Sequence, residues 1–575
     1  MVIITELVGV VAFFCCILVL LSFLLIPKPL PGIPYTWTSA YLGWGDLPSL
    51  AIHNFLTGEV FDWFDIHCRK QKSPIVQLFM PNYSTKRPFV VVSDLREIED
   101  IVTRRNDIVD RAPLMHELLS LCFPHATTGM GTTADFKQKR GLLSSILTPK
   151  FMNEVSGPCV YEAVQDLIEL WKQKKFSAGE LPFDVHEDLS QIGLDATWKI
   201  MLGEKLGVIR SQIEMLKSRQ CKVKHASDRV SFSTRHPPLY GAFQTLLLGL
   251  DWVLLGVHPA TYTWIIKRLP PFKKAQRMIK GHVRTAIDAA SLQARNSTTA
   301  SSCGIEEVIL RMLDKQIPLT KDALLWLEDD CLELLVAGHE TSATAAWTLK
   351  YLSDNQGIQT TLRDTLHTAF GDIPEKMVLP TAAQILTADL PYFDAIIAEV
   401  LRVARPGPVS FRQTTQDTSI LGHPVPAHTN VVLNPYNRAQ SFEVDESCRS
   451  ITSQKSGLHY PSWDTRHDLN EFKPERWLER GIDGSTFVFN SKAGPALPFS
   501  AGPRGCFGKK IALMELRILV VLLVLQFDFG KVEGRLAGYD AKDALTRCPS
   551  RCYVKLSETS WAHLARGGSC LPTMP

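Results

Sequence analysis

One loop near the C-terminus constrains the fold more than any other stretch: Phe499-Ser500-Ala501-Gly502-Pro503-Arg504-Gly505-Cys506-Phe507-Gly508. Its glycines and proline make it turn-rich and let the backbone pass close to another group. Directly after it, Lys509–Leu525 reads as an apolar helix, which places Cys506 just before a helix amino terminus. The helix dipole, the loop N–H groups and Arg504 all favour an anionic sulfur. A lone cysteine is ordinarily a small inert core residue; this setting can instead stabilise a thiolate.

The rest of the composition narrows the class. The chain has 575 residues with a formal net charge of +3, so nothing in it points to nucleic acid. Its thirteen cysteines are odd in number and scattered, which fits a reducing compartment better than a disulfide scaffold. The sequons Asn82-Tyr83-Ser84 and Asn296-Ser297-Thr298 are short enough to arise by chance. From Leu7 to Ile26 no residue is charged, and as a helix that run spans about 30 Å, the thickness of a bilayer core. The start carries Glu6, no basic residue and no small-residue cleavage site, so a retained anchor is expected rather than a cleaved leader. Lys28 follows the run, which places the downstream chain in the cytosol by the positive-inside rule.

Four regions are expected: an anchor over 1–26, a proline-rich connector over 27–44, one large domain over 45–557, and a loosely ordered tail over 558–575. Helical periodicity is plain in Tyr161–Lys172, Thr320–Leu352 and Ile358–Phe370. Strand patterns are short, as in Phe89–Val92 and Asn430–Leu433, so the class is mainly α with a small β part. The apolar stretch within His236–Phe272 carries Asp251 and is too short for a second span. It reads as a buried helix pair, with a surface that dips into the membrane as the alternative.

Inside the long helical stretch lies Ala337-Gly338-His339-Glu340-Thr341-Ser342. Glycine in a helix interior costs about 1 kcal/mol against alanine, so Gly338 needs a packing or functional reason. Glu340 and Thr341 form an acid–alcohol pair able to hold water and relay protons. Glu399 and Arg402, three apart on an apolar helix, can form an ion pair on one face.

The loop matches the spacing Phe-x-x-Gly-x-Arg-x-Cys-x-Gly and resembles the cysteine-ligand loop of the cytochrome P-450 family. Its five fixed positions match by chance on the order of once in 10⁷ windows. Ala512 and Glu515 also stand where similar family members have them, and the other motifs follow in the family's order. The resemblance implies a cytochrome P-450 fold preceded by an N-terminal transmembrane helix. It implies haem b held in a site that includes Phe499 and Arg504, with the Cys506 thiolate as axial ligand favouring O–O cleavage. It implies Glu340 and Thr341 as the catalytic proton relay, room for dioxygen at Gly338, and Arg476 as third member of a structural group with Glu399 and Arg402. Arg412 and Arg140 are the implied propionate partners. Phe136 stands where the family commonly has tryptophan, and His339 falls at a variable position without a ligand role.

The reaction implied is insertion of one oxygen atom from O₂ into a small apolar organic substrate, in secondary-metabolite biosynthesis. No Gly-x-Gly-x-x-Gly fingerprint occurs, so electrons are expected from a separate NADPH-dependent flavoprotein reductase, docking near Lys137, Lys139, Lys509 and Lys510. The expected location is the endoplasmic reticulum membrane, single-pass, with the catalytic domain facing the cytosol. The segment Ser441–Asn470 is longer than in many members and reads as a surface insertion. A same-fold peroxide isomerase or dehydratase, and a non-catalytic haem-binding membrane protein, are the rival classes.

Overall fold

The computed structural model describes residues 27–559, apart from 42–43, 81–86, 255, 257, 297–300, 372–378, 408, 436–441, 457–468, 470, 483, 485 and 495. The expected anchor, the Asn82 sequon, Ser297 and Thr298 of the second sequon, nearly all of the tail and much of Ser441–Asn470 lie outside the described residues. Among the described residues no helix is long and apolar enough to cross a membrane.

The architecture is mainly helical with small sheets. The sheet that bears on the site joins β1 (Ile75–Leu78), β2 (Phe89–Val92), β3 (Val109–Arg111), β4 (Ser410–Thr414) and β5 (Asn430–Leu433) in the order β1-β2-β5-β4-β3. β2 and β5 run parallel and the other pairs antiparallel. Both were legible as apolar runs, and Val90, Val91, Val92, Val431, Val432 and Leu433 are buried, as a parallel pair requires. The proline-rich connector lies against this sheet. The Gln77 side-chain amide accepts from the Leu30 N–H at 2.8 Å and donates to the Leu30 and Ile33 carbonyls at 2.9 and 2.7 Å.

Ten helices set up the site: α1 (Leu47–Thr57), α2 (Leu95–Thr103), α3 (Ala134–Leu143), α4 (Gly157–Ala178), α5 (His186–Leu202), α6 (Pro238–Leu254), α7 (Pro259–Ile266), α8 (Lys321–Asp354), α9 (Pro391–Ala404) and α10 (Lys509–Gln526). α8 starts where the sequence signals it, with the Thr320 hydroxyl accepting from the Ala323 N–H at 3.2 Å. α10 is buried from Ile518 to Leu525 and packs on α4 and α8, which fixes the direction in which the preceding loop is presented.

α5 crosses α8 closely. A Cβ on Gly193 would stand 2.6 Å from the Gly338 carbonyl, and a Cβ on Gly338 would stand 1.9 Å from Thr197 Oγ1. Helix packing therefore supplies a reason for Gly338 on its own. The reading of His236–Phe272 as a buried pair needs correction. α6 buries Tyr240, Phe243, Leu246 and Leu250, but Leu248 and Trp252, and Trp264 of α7, are each 59 % exposed. Their apolar character marks an outer face rather than a core.

Two further strands, β6 (Ala541–Asp543) and β7 (Arg547–Pro549), pair antiparallel, with Lys542 opposite Cys548. The described part of Ser441–Asn470 contains the short helix Ile451–Lys455 and is fastened to α2. Arg449 donates to both Asp94 oxygens at 2.6 and 3.0 Å, and the hydroxyls of Ser450 and Thr452 donate to Asp100 Oδ2 at 2.6 and 2.8 Å.

Candidate active site

The cysteine loop bends through positive φ at Ser500 (54°) and Gly502 (67°). Gly502 is required twice over, because a Cβ there would lie 1.9 Å from the Val102 carbonyl at the end of α2. The Cys506 N–H donates to the Phe499 carbonyl at 2.8 Å, closing the loop on the aromatic at its entry. At the start of α10 the N–H groups of Gly508 and Lys509 point at the sulfur, as the sequence indicates for a cysteine before a helix.

Two expectations about the sulfur change. Burial pushes the Cys506 thiol up, and the opposing amides and the charges of Arg140 and Lys509 do not overcome it. The area that Cys506 leaves exposed belongs to the wall of a cavity, which explains how an exposed residue is poorly hydrated. Such a thiol ionises when a metal cation takes the proton's place. Moreover, the guanidinium beside the sulfur is Arg140, which donates to the Gly505 carbonyl at 2.6 Å. Arg504 turns away, donating to Thr132 Oγ1 at 2.7 Å and to the Met130 carbonyl, 3.7 Å from Asp110.

The cavity measures about 500 Å³, within the range of cofactor and substrate sites. Phe499, Cys506 and Gly508 line it from the loop; Gly338, Glu340 and Thr341 line it from α8. Thus segments more than 150 residues apart in sequence meet at one space, roughly as the motif order anticipates.

The cationic part of the wall is the sharpest test of whether haem fits. β3 and β4 pair with Arg111 directly opposite Arg412, and like charges so placed repel. Arg412 is buried and Arg111 half-buried, and the buried Arg504 joins them. Burial, then the neighbouring guanidiniums, pull Arg412 down to about 9 and Arg504 down to about 10. Arg111 is lowered too, first by burial, with Arg140 adding to it against the opposite pull of Glu333 and Asp110. Buried nitrogens on Arg111, Arg412 and Arg504 make no hydrogen bond with the described residues. Such a cluster calls for anions, and two carboxylates on a flat apolar ring supply them. Haem fits. Of the expected propionate partners, Arg140 lines the cavity; Arg412 is paired across the sheet with Arg111, which lines it. Arg111 was missed by sequence reading, since a three-residue strand carries no local signal for it. Phe136 is fully buried and serves as a platform for Arg504, whose guanidinium carbon lies 3.6 Å from the ring centroid.

Glu340 and Thr341 share the cavity but not a hydrogen bond. The Thr341 hydroxyl donates to the Ala337 carbonyl at 3.3 Å, as threonine within a helix often does. The Glu340 carboxylate accepts from the Thr546 hydroxyl on the β6–β7 turn and lies 3.3 Å from His339 Nδ1. Burial pushes the Glu340 carboxyl up; the His339 hydrogen bond and charge, Thr546 and His186 outweigh it, so it stays below the usual range.

The structural group behind the loop forms as expected. Arg402 donates to the two oxygens of buried Glu399 at 2.8 and 2.7 Å, and Arg476 comes within 3.6 Å of it. The Trp477 indole N–H also donates to Glu399, at 2.9 Å. Of the four lysines, Lys137, Lys509 and Lys510 are exposed, but Lys139 is half-buried and bridges Asp135 at 2.9 Å.

Comparison with known proteins bears directly on this arrangement. The family model described as Cytochrome P450 matches residues 50–442 and 467–549, skipping the centre of the segment read as an insertion. A cytochrome P450 monooxygenase of Pestalotiopsis microspora, GME11363, is 30 % identical over 567 residues, covering 96 % of this chain and 98 % of its own. The cytochrome P450 monooxygenase TRI13 of Fusarium sporotrichioides is 28 % identical over 588 residues, covering 94 % and 98 %. A Dothistroma septosporum protein, the Hps1-dma1 cluster cytochrome P450 monooxygenase cyp3.1, is 34 % identical over 250 residues, 41 % of this chain and 78 % of its own. A cysteine loop facing a glycine-bearing helix across one cavity is the site of a haem-thiolate enzyme, and the match over most of the chain settles which kind. The chain belongs to the cytochrome P450 family, and its activity is that of a monooxygenase.

Proposed function

We propose that this enzyme uses haem b, bound through Cys506, to insert one oxygen atom from O₂ into a small apolar compound of fungal secondary metabolism. The observation that carries the reading is the convergence of Cys506, the arginine cluster and the Glu340–Thr341 pair on one cavity. When bound, haem supplies activation of O₂, so that with two electrons and two protons one oxygen atom enters the substrate and the other leaves as water. Cys506 Sγ holds the iron, steered by the Gly508 and Lys509 amides. Arg111, Arg140 and Arg504 would hold the propionates, with Arg412 adding positive charge beside Arg111. Glu340, an anion at rest, takes up a proton at its carboxylate and Thr341 passes it into the cavity. Apolar residues such as Phe123, Leu334, Val409 and Leu545 exclude water and receive the substrate. Fungal relatives, one of them named for a gene cluster, support secondary metabolism as the setting.

The electron donor is an NADPH-dependent flavoprotein reductase, whose acidic face meets Lys137, Lys509 and Lys510 beside the loop. The uncharged run Leu7–Ile26 anchors the chain in the endoplasmic reticulum membrane with the domain in the cytosol. The exposed Leu248, Trp252 and Trp264 support a lipid contact by the domain itself. The experiment is reconstitution of the full chain with such a reductase, NADPH and O₂, scored by mass spectrometry on extracts from cells that lack the gene. Product carrying one atom from labelled O₂ is expected. Product made without O₂ and reductase would instead support a peroxide isomerase or dehydratase.

A further inference from the structure

Behind Glu340 lies a chain of titratable side chains contributed by three elements, the strand Phe183–Asp184, α5 and α8. We propose that His339 is a relay residue that hands protons from its ring to Glu340, and that His186 brings them inward from the exposed carboxylates of Asp184 and Glu187. This rests on the monooxygenase reading, in which Glu340 must be recharged at every turnover.

The inner contact is direct, with His339 Nδ1 3.3 Å from Glu340 Oε1. Thr546 occupies the other carboxylate oxygen, so Oε1 is the oxygen open to reprotonation. The His339 ring is held at 5.8 Å from the Phe243 ring of α6 and keeps only 11 % of its side chain exposed. His186 opens α5, and its Nδ1 is buried and makes no hydrogen bond with the described residues. It lies within electrostatic reach of both ends of the chain, of Asp184 and Glu187 and of His339 and Glu340. The outer end reaches solvent. Glu187 keeps 63 % of its side chain exposed, 3.2 Å from His236 Nε2, and Asp184 accepts from the His186 backbone N–H at 3.1 Å.

The transfer balances without any co-reactant. The Nδ1–H bond of the His339 imidazolium breaks, an O–H bond forms on Glu340 Oε1, and neutral His339 takes its next proton from the His186 side. No electrons move. Because Glu340 stays below the usual carboxylate range, it is an anion at rest and the proton has to be brought to it. Burial pushes His186 down, which keeps it neutral and able to accept from solvent.

The other groups around Glu340 offer one competing inlet. Asp251 of α6, the charge that interrupts an apolar stretch in the sequence, is pushed up to about 6 by burial and by Glu340, while Lys542 and His339 pull it down. Cys548 is pushed up to about 12, mainly by burial, and so stays a thiol. Among the described residues Asp251 makes no hydrogen bond to Glu340, whereas His339 Nδ1 lies 3.3 Å from its carboxylate, and this decides between the two routes.

The test uses the full-length, haem-loaded enzyme with its electron donor, and His339→Gln, which keeps an N–H donor but cannot carry a proton through. Product per NADPH is expected to fall on the order of tenfold and the solvent deuterium isotope effect to rise. A readout independent of turnover is infrared titration of the Glu340 carboxyl, assigned by its loss in Glu340→Gln. Its midpoint should move up in His339→Gln, because a positive neighbour is gone. Asp251→Asn should leave coupling near the wild-type value. Wild-type coupling in His339→Gln, or loss of coupling only in Asp251→Asn, would overturn the relay. If the wild type makes no product at all, the monooxygenase reading fails by itself. The infrared titration then still decides the relay: an unmoved Glu340 midpoint overturns it.

Discussion

Gly338→Ala separates two reasons for a glycine in the middle of α8. The added Cβ would stand 1.9, 2.6 and 2.8 Å from Thr197 Oγ1, Cβ and Cγ2, and all three atoms belong to a β-branched side chain on a packed helix. Overpacking of that kind costs about 1–3 kcal/mol. Alanine returns about 1 kcal/mol of helix propensity, so the net expected loss is at most about 2 kcal/mol. Thr197→Gly clears all three contacts. In the double variant Gly338→Ala/Thr197→Gly the new methyl fills the space, and a favourable coupling of about 1–2 kcal/mol is expected. The assay is equilibrium urea unfolding of the four proteins, with transitions compared at a common slope. If Gly338→Ala were as stable as wild type, with no coupling to Thr197, the close crossing of α5 and α8 would be wrong. The glycine would then be needed only to leave room for dioxygen.

Arg111→Leu should raise the stability of the haem-free protein by relieving repulsion with Arg412, yet speed haem loss about tenfold, followed by transfer to a haem acceptor. Equal haem loss would remove Arg111 from the propionate site. Thr341→Ala should keep haem content and NADPH consumption while diverting electrons into hydrogen peroxide, with product falling by about 10² or more; an unchanged ratio of product to NADPH would exclude Thr341 from proton delivery. Burial holds the Glu515 carboxyl at about 8 against an ordinary 4.5, so the folded state keeps a proton that the unfolded state releases. Stability should therefore fall as pH rises between those two values and level off above, and Glu515→Gln should flatten that slope in unfolding series. Arg449→Ala should loosen the segment that grips α2, costing about 2 kcal/mol and destabilising the thiolate loop that packs on Val102; an unchanged urea midpoint would show that the segment is not a brace.

Local signals carried much of this structure, and the reasons are visible residue by residue. Phe89–Val92 and Asn430–Leu433 are apolar on both faces and could be little else than buried strands, while the α8 cap at Thr320 marks its own start. The cysteine loop is legible because glycine, aromatic, arginine and thiol must stand at fixed spacings to hold one ligand. What stayed hidden depends on register between distant segments. Arg111 faces Arg412 only because β3 pairs with β4, and Thr546 reaches Glu340 only because the β6–β7 turn folds over α8. The partnership of Gly338 with Thr197 arises the same way. Arg504 looked suited to act on the sulfur because it is two residues away, but the positive φ at Gly502 starts a turn that sends its side chain to Thr132.

The central claim is that Cys506 is the thiolate ligand of a haem enzyme. The direct measurement is the absorption spectrum of the reduced, carbon monoxide-bound protein, recorded for wild type, Cys506→Ala and Cys506→His. Wild type should show the long-wavelength Soret band from which the family takes its name. Cys506→Ala should lose it, and Cys506→His should show the shorter-wavelength band of a nitrogen ligand wherever haem is retained. Persistence of the wild-type band in Cys506→Ala would contradict the account at its root.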